Sequence, residues 1–203
     1  MFPQPKCELE FRDNFELIVA VILSAQCTDK RVNIVTKKLF SRFPTVFALS
    51  EASVEEVEEI VKPCGLFRSK AKNLVSMSKD VVEKFGGVVP NEFDLLIKLA
   101  GVGRKTANVV LGVGFGQNTI AVDTHVFRVS NRLGIVKAKD VLECERQLQK
   151  KFAPNDWTNL HYMLVLFGRY QCTARSPKCQ TCPFWNECKC RRKYVSGQSE
   201  NKD

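Results

Sequence analysis

Apolar side chains recur along this chain at the spacing of helical turns. The uninterrupted run from Leu17 to Leu23 is typical of a helix buried on most of its sides, and the stretch from Asp29 to Phe43 keeps its apolar residues on one stripe between Lys and Arg. The same spacing predicts further helices over residues 54–61, 69–85, 91–100, 104–113, 123–133, 139–152 and 156–170. No alternating pattern with hairpin turns competes, so the sequence predicts an all-α fold.

Short polar and glycine signals mark where several of these helices begin and end. Ser53 followed by Glu56 has the spacing of a capping box, and Ser69 is the predicted N-cap of the next helix. The pair that begins at Gly86 predicts a left-handed stop, as does Gly134. These signals indicate where the helices predicted between them begin and end.

Composition narrows the class of protein. The chain has 203 residues, enough to bury roughly 70% of its unfolded surface. Its 44% apolar and 26% charged residues exclude collagen-like, low-complexity and wholly disordered chains. The longest apolar run has seven residues against the ~20 of a membrane-spanning helix, and the first ten residues carry no secretory signal, so we expect an intracellular protein.

The charge balance points to a polyanion as partner. Lys and Arg number 31 against 22 Asp and Glu, which gives a net charge of +9. Such a charge attracts a phosphate backbone, although it also serves simply to keep a small domain in solution. Nucleic acid is therefore the leading partner, with solubility as the alternative.

The cysteines predict a metal site near the C-terminus. The chain has nine, and an odd number cannot all form disulfides. Four of them, Cys172, Cys179, Cys182 and Cys188, follow one another at the spacing x6, x2 and x5, and Cys190 is close enough to compete for the fourth position. Four thiolates suit an iron-sulfur cluster or a tetrahedral zinc ion, so the spacing alone leaves both open. The remaining cysteines are expected to be small buried hydrophobes: Cys7, Cys27, Cys64 and Cys144.

A glycine turn between two predicted helices resembles a helix-hairpin-helix motif. The run Gly101, Val102, Gly103 and Arg104 follows one apolar helix and opens the next. Glycines let backbone N–H groups point outward beside the positive end of a helix dipole, where a DNA phosphate can bind. The alternative is an ordinary turn in which the glycines serve only sterics.

Two residues near this turn are candidates for chemistry. Lys105 lies in the first turn of the second helix beside Arg104, surroundings that favour a neutral, nucleophilic amine, although it is also suited to contact a phosphate. Asp123 follows the apolar residues Ile120 to Val122 and can cap the next helix while also facing a cleft. Capping and catalysis are compatible.

The segment LAGVGRKTANVVLGVGFGQNTIAVDTHVFRVSNR, residues 99–132, resembles the endonuclease III family of DNA glycosylases with abasic-site lyase activity. The resemblance runs from about Phe15 to Cys188 and implies that a damaged pyrimidine is flipped out of duplex DNA. It implies that Lys105 is the nucleophile that attacks the sugar C1′, that Asp123 is its catalytic partner, and that the four spaced cysteines hold a 4Fe-4S cluster.

The resemblance also implies contacts with DNA. It makes Gln26 the candidate that fills the space of the flipped base and Leu66 the candidate wedge in the base stack, with a buried amide and a core leucine as the respective alternatives. His125 is expected to be structural or to contact a phosphate. The family's hairpin usually has Pro where this chain has Ala100, which loosens the turn without removing its N–H donors.

The resemblance further implies two helical lobes with a DNA-binding cleft between them. A six-helix domain with the hairpin is expected over residues 14–117, a cluster-bearing domain over residues 1–13 and 118–190, and a basic tail over residues 191–203. We expect a monomer that binds damaged duplex DNA. The alternatives are a mismatch adenine glycosylase, whose relatives lack a lysine like Lys105, and a DNA-binding module without catalysis.

Overall fold

The computed structural model describes Pro5 and residues 7–190 of the chain. Within this range it contains ten α-helices and two single turns of 3-10 helix, with no strand. The α-helices are α1 Asn14–Leu23, α2 Asp29–Arg42, α3 Val46–Ser50, α4 Val54–Val61, α5 Phe67–Phe85, α6 Phe93–Leu96, α7 Arg104–Gly114, α8 Thr124–Leu133, α9 Val141–Lys151 and α10 Trp157–Tyr170. The predicted basic tail, residues 191–203, lies outside the described residues.

The described chain divides into two compact units. Residues 7–119, with α1 to α7, form the first unit, and residues 120–190 belong to the second unit, with α8 to α10. Each unit has its own hydrophobic core. No helix in the described chain combines the length and the apolarity needed to cross a bilayer.

Helix α1 lies at the centre of the first unit. Every residue from Phe15 to Leu23 is buried, and the helix packs on α2, α5 and α7. The predicted burial on most sides is thereby confirmed. The one buried charge on this helix, Glu16, is bonded to the guanidinium of Arg12, which satisfies the carboxylate inside the protein.

The first unit contains seven helices, whereas six were expected over residues 14–117. The additional helix is Val46–Ser50, which is too short to show a periodic pattern. A Cβ on Gly87 would lie 2.4 Å from the tip of the Phe47 ring, and the φ of +88° at this position also favours glycine.

The predicted helix ends were partly wrong. The capping box of Ser53 and Glu56 is confirmed, and Gly86 ends α5 with a φ of 60°. Ser69 does not cap α5, because the helix begins earlier, at Phe67. The helix expected over residues 91–100 is confined to Phe93–Leu96 and is followed by turns.

In the second unit, α8 packs on α9 and α10. Asp123 caps α8, and Gly134 ends it with a φ of 76°. The buried His161 of α10 contacts the carbonyl of Ala121 through Nδ1 at 2.6 Å, which fixes the segment leading to Asp123.

Candidate functional site

The two glycines of the hairpin are subject to different steric constraints. Gly101 has a φ of +76°, and an added Cβ would lie 3.0 Å from Asn73 on α5, so the turn needs glycine for conformation and for space. Gly103 has a φ of −91°, and a Cβ there would meet nothing within 4 Å. The surface over Gly103 is therefore open to a ligand.

The hairpin presents backbone donors at its surface. The Val102 amide donates to the Leu99 carbonyl at 3.1 Å and the Val102 side chain is buried, so neither faces outward. The amides of Gly101 and Gly103 have no backbone acceptor among the described residues. Together with the first amides of α7, these donors are of the kind that suits an anion. The Arg104 guanidinium packs over the Phe93 ring at 5.0 Å and keeps a positive charge beside it.

Lys105 is the second residue of α7, directly after the hairpin. Its side chain is exposed, and no ion pair among the described residues involves it. The amine is therefore sterically accessible to a substrate that binds the hairpin.

Asp123 lies in the second unit and acts as the N-cap of α8. Its Oδ1 accepts a hydrogen bond from the Val126 amide at 2.8 Å, which confirms that it caps the helix. The residue is half-buried, and a carboxylate has a second oxygen that the cap does not use.

The surroundings of His125 favour the neutral imidazole. The Arg128 guanidinium contacts His125 Nδ1 at 3.1 Å and donates to the Gly168 carbonyl at 2.9 Å. Because a guanidinium only donates, this contact favours the tautomer without a proton on Nδ1, whereas a hydrogen bond to the Gly168 backbone acts in the opposite direction and raises the pKa. Burial, and then the charges of Arg128 and Arg169, lower the pKa of His125, although Asp123 opposes them. A neutral His125 can still donate a hydrogen bond through Nε2.

Gln26 and Leu66 share an unusual backbone. They are the two non-glycine residues with positive φ in the described chain, at 54° and 58°. Both are exposed, and Leu66 shows 59% of its surface to solvent. The alternatives of a buried amide and a core leucine are therefore wrong. Strained, exposed side chains of this kind are concentrated at binding sites.

The spaced cysteines line one cavity. Cys172, Cys179, Cys182 and Cys188 surround it, and Cys190 reaches it as well. Apolar side chains, among them Phe167 and Trp185, complete the wall.

The four thiols around this cavity suit either of the two groups that the spacing allowed. A zinc ion binds four sulfurs directly, at about 2.3 Å. In a 4Fe-4S cluster each iron takes one thiolate. The cavity alone leaves both open.

Sequence reasoning missed the residue that braces this cysteine loop. Arg132, near the end of α8, donates to the carbonyls of Thr173 at 2.7 Å and Ala174 at 2.8 Å, and its own carbonyl accepts from the Cys190 amide at 3.1 Å. It also lies 3.6 Å from the sulfur of Cys172. No sequence spacing links it to the loop, which is why only the structure identifies it.

Burial and mutual repulsion disfavour thiolates at two cysteines of this loop. Burial, followed by the other cysteines, raises the pKa of Cys179. Burial also raises the pKa of Cys188, while a backbone hydrogen bond from Cys190 acts in the opposite direction. Positive iron bound to the sulfurs offsets these costs, so the cavity fits a cationic group.

Models of two protein families match segments of the chain. Residues 19–154 match the HhH-GPD superfamily of base excision DNA repair proteins, and residues 172–188 match the iron-sulfur binding domain of endonuclease III. The second match begins at Cys172 and ends at Cys188, so it includes the four predicted ligands and leaves Cys190 outside.

Individual proteins are similar over nearly the whole chain. Endonuclease III of Bacillus subtilis is 52% identical over 190 residues, which cover 93% of this chain and 87% of that protein. A solved structure of a trapped endonuclease III–DNA covalent intermediate has a TM-score of 0.93 at 47% identity, covering 96% of this chain and 92% of its own. A non-covalent endonuclease III–DNA complex also reaches 0.93, at 46% identity, covering 97% and 92%. The predicted helix-hairpin-helix glycosylase fold is thereby confirmed.

Proposed function

The chain belongs to the endonuclease III family, and from that premise we propose that it is a base excision repair enzyme for oxidised pyrimidines in duplex DNA. It is a DNA glycosylase and an abasic-site lyase, and it carries a 4Fe-4S cluster. The observation that carries the assignment of its nucleophile is the exposed Lys105 directly after the glycine hairpin. An amine at that place can reach the sugar of a strand whose phosphate binds the hairpin.

The reaction begins with attack of the Lys105 amine on the sugar C1′. The new C–N bond replaces the glycosidic bond, so the base departs with the bonding electron pair and takes up a proton, while the attacking nitrogen loses one. Ring opening gives a Schiff base. Loss of a C2′ proton then breaks the C3′–O bond, which cleaves the strand on the 3′ side of the abasic site by β-elimination.

Asp123 supports the first step with the carboxylate oxygen that does not cap α8. It accepts the proton from the amine or stabilises the positive charge that develops on the sugar. Its half-buried position in the second unit limits competition from water. Since the cap fixes the carboxylate, its orientation does not depend on the substrate.

The remaining predicted site residues bind and deform the DNA. The amides around Gly101 and Gly103, with Arg104, position the backbone without reading sequence. His125, neutral in its surroundings, donates a hydrogen bond to a phosphate. Gln26 and Leu66 enter the duplex, one occupying the space that the flipped base vacates and the other separating its neighbours.

The cluster is held by Cys172, Cys179, Cys182 and Cys188, with Cys190 outside the ligand set. When bound, it supplies a structural cross-link between cysteines, and no step of the reaction passes through it. The loop that it closes carries Arg175 and Lys178, which are exposed and suited to a phosphate backbone. We further propose that residues 14–117 and residues 118–190 act as two lobes, and that the protein works as a monomer.

Borohydride trapping tests the proposed chemistry. Wild-type protein incubated with a duplex that contains an abasic site and with borohydride is expected to form a stable protein–DNA adduct. Lys105→Ala should abolish the adduct and largely spare DNA binding, because the side chain is exposed and forms no ion pair with the residues that the structure describes. The matched control is Lys79→Ala, which replaces an exposed lysine on α5, and this variant should form the adduct normally. Undiminished trapping by Lys105→Ala would place the nucleophile elsewhere.

Lesion preference is tested with a panel of duplexes, each carrying one defined base. Oxidised pyrimidines are expected to be released, and adenine opposite a damaged guanine is expected to stay in place. Release of adenine alone, without trapping, would instead support a mismatch adenine glycosylase. Binding without release or trapping would support a DNA-binding module.

A further inference from the structure

The turns that carry Gln26 and Leu66 are joined through one buried cation. Lys70, in the first turns of α5, is 4% exposed. Its Nζ donates to the carbonyl of Leu23 at 2.9 Å and to the carbonyl of Ala25 at 2.6 Å. These acceptors lie at the end of α1 and directly before Gln26.

The backbone of the same residue is attached to the other turn. The Lys70 amide donates to the Leu66 carbonyl at 3.1 Å. One residue therefore holds the chain beside Gln26 through its side chain and holds Leu66 through its backbone. The two residues with left-handed non-glycine backbone in the described chain are thus tied to a single residue, one turn through its side chain and the other through its amide.

Neighbouring contacts show that the two turns pack directly against each other. A Cβ on Gly65 would lie 3.4 Å from the carbonyl oxygen of Gln26. Arg31 donates to the carbonyl of Pro63 at 3.3 Å. Cys27 lies near enough to Cys64 to raise the pKa of that thiol, after burial as the larger cause. The junction is a continuous contact from α1 and α2 to the start of α5.

The chemistry of the junction explains why a lysine is buried there. Burial lowers the pKa of Lys70, so the charge needs local compensation. The carbonyls at the C-terminal end of α1 supply it, because they form the negative end of the helix dipole. Burial raises the pKa of Cys64 to about 11, with the Cys27 hydrogen bond as the next cause, so the nearby thiol stays neutral. Since the thiol carries no charge, the hydrogen bonds of the Lys70 ammonium go to the carbonyls of Leu23 and Ala25.

We propose that Lys70 is a positioning residue that makes the Gln26 and Leu66 turns move and act as one unit on DNA. This inference rests on the proposed function, because it concerns the opening of a base pair by those two side chains. Lys70 touches neither substrate nor reacting atoms. It acts by holding two strained, exposed side chains at a fixed separation. The base pair is then opened and the space of the flipped base is filled in one event.

The test uses full-length, cluster-loaded protein with Lys70→Met, which keeps the stem and removes the ammonium. The matched control is Lys79→Met, an exposed lysine on the same helix. Single-turnover release of an oxidised pyrimidine from a fully paired duplex should fall about tenfold or more in Lys70→Met, as expected for misplaced groups. Borohydride trapping at a preformed abasic site, where no base pair must open, should fall far less. Lys79→Met should change neither.

A double-mutant cycle separates positioning from general stability. If Lys70 acts through Gln26, then Lys70→Met combined with Gln26→Ala should be no worse in base release than the worse single variant. Fluorescence of 2-aminopurine opposite the lesion should show the same loss of base-pair opening. Equal loss of release and trapping, or full additivity in the cycle, would overturn the proposal.

Lys70→Gln provides a second variant, because it keeps a donor for one carbonyl and is less disruptive. In this variant, amide hydrogen exchange should rise in residues 24–27 and 64–67 together, relative to wild type. A rise in only one of the two turns would also overturn the proposal, and so would unchanged exchange in both. Failure of the proposed function is distinguishable, since wild-type protein would then neither release bases nor be trapped.

Discussion

At the scale of single residues, several side chains serve folding and chemistry at once. Asp123 caps α8 while its second oxygen is available for a substrate, and Gln26 and Leu66 are exposed on strained backbone. The sequence predicted these residues through the family resemblance. It did not predict the positive φ of Leu66, because nothing in a leucine indicates a left-handed conformation.

Substitution of Asp123 separates its two roles. Asparagine caps helices as well as aspartate does, so Asp123→Asn should change the free energy of unfolding by less than about 0.5 kcal/mol. Removing the carboxylate should nevertheless lower single-turnover base release about 100-fold or more. Asp123→Ala should show the same kinetic loss and, in addition, about 1 kcal/mol of lost stability in urea unfolding. Normal activity in Asp123→Asn would restrict this residue to capping.

The pH dependence of stability reports the state of His125. Its pKa is lowered in the folded protein from the usual 6.5, so the unfolded chain takes up the proton first as the pH falls. The contribution of the neutral imidazole is complete above that value and is lost progressively below it. The free energy of unfolding, measured in urea, should therefore fall more between about pH 7.5 and 5.5 for wild type than for His125→Asn. Parallel profiles for the two proteins would show that burial does not disfavour the charged ring.

At the scale of helices and turns, periodicity predicted long elements well and short ones poorly. Helices α1, α2 and α8 lie where their apolar residues place them. The five residues of α3 are too few to show a period, and the pattern over residues 91–100 continues past the point where turns replace α6. The start of α5 was misplaced because Leu66, which has no capping side chain, precedes it.

The hairpin glycines provide a matched pair of substitutions. Gly101→Ala should destabilise the fold by roughly 1–2 kcal/mol, because its φ is left-handed and the methyl would press on Asn73. Gly103→Ala should fold normally, since its φ is negative and the space over it is open. A methyl there would stand between the amides and a phosphate, so duplex DNA binding should weaken. Unfolding and binding titrations on both variants check this contrast. Unchanged binding by Gly103→Ala would place the phosphate elsewhere.

At the scale of the whole molecule, the sequence predicted the fold class through helical periodicity and the cysteine site through the fixed spacing of its thiols. It could not predict Arg132 or Lys70, because each acts on residues distant in the chain. Arg132 is bonded to Thr173, and Lys70 to Leu23. Contacts of this kind follow from tertiary packing, which no local pattern encodes.

Removal of iron is expected to loosen the cysteine loop selectively. Without the cluster, neutral thiols no longer cross-link the loop, whose remaining braces are hydrogen bonds such as those of Arg132. Trypsin should then cut after the exposed Arg175 and Lys178 much faster than in the loaded protein. Cuts after Lys70 in α5 should stay slow, because that lysine is buried in the separate first unit. Equal cutting of loaded and iron-free protein would mean that the loop holds its shape without a cluster.

The outward amides of Gly101 and Gly103 belong to the main chain, so replacing neighbouring side chains leaves them in place. An alanine scan of the basic surface would therefore register Arg104 and overlook the donors beside it. Replacing one of these amides by an ester deletes a single N–H. This is the substitution that would weaken DNA binding at the hairpin.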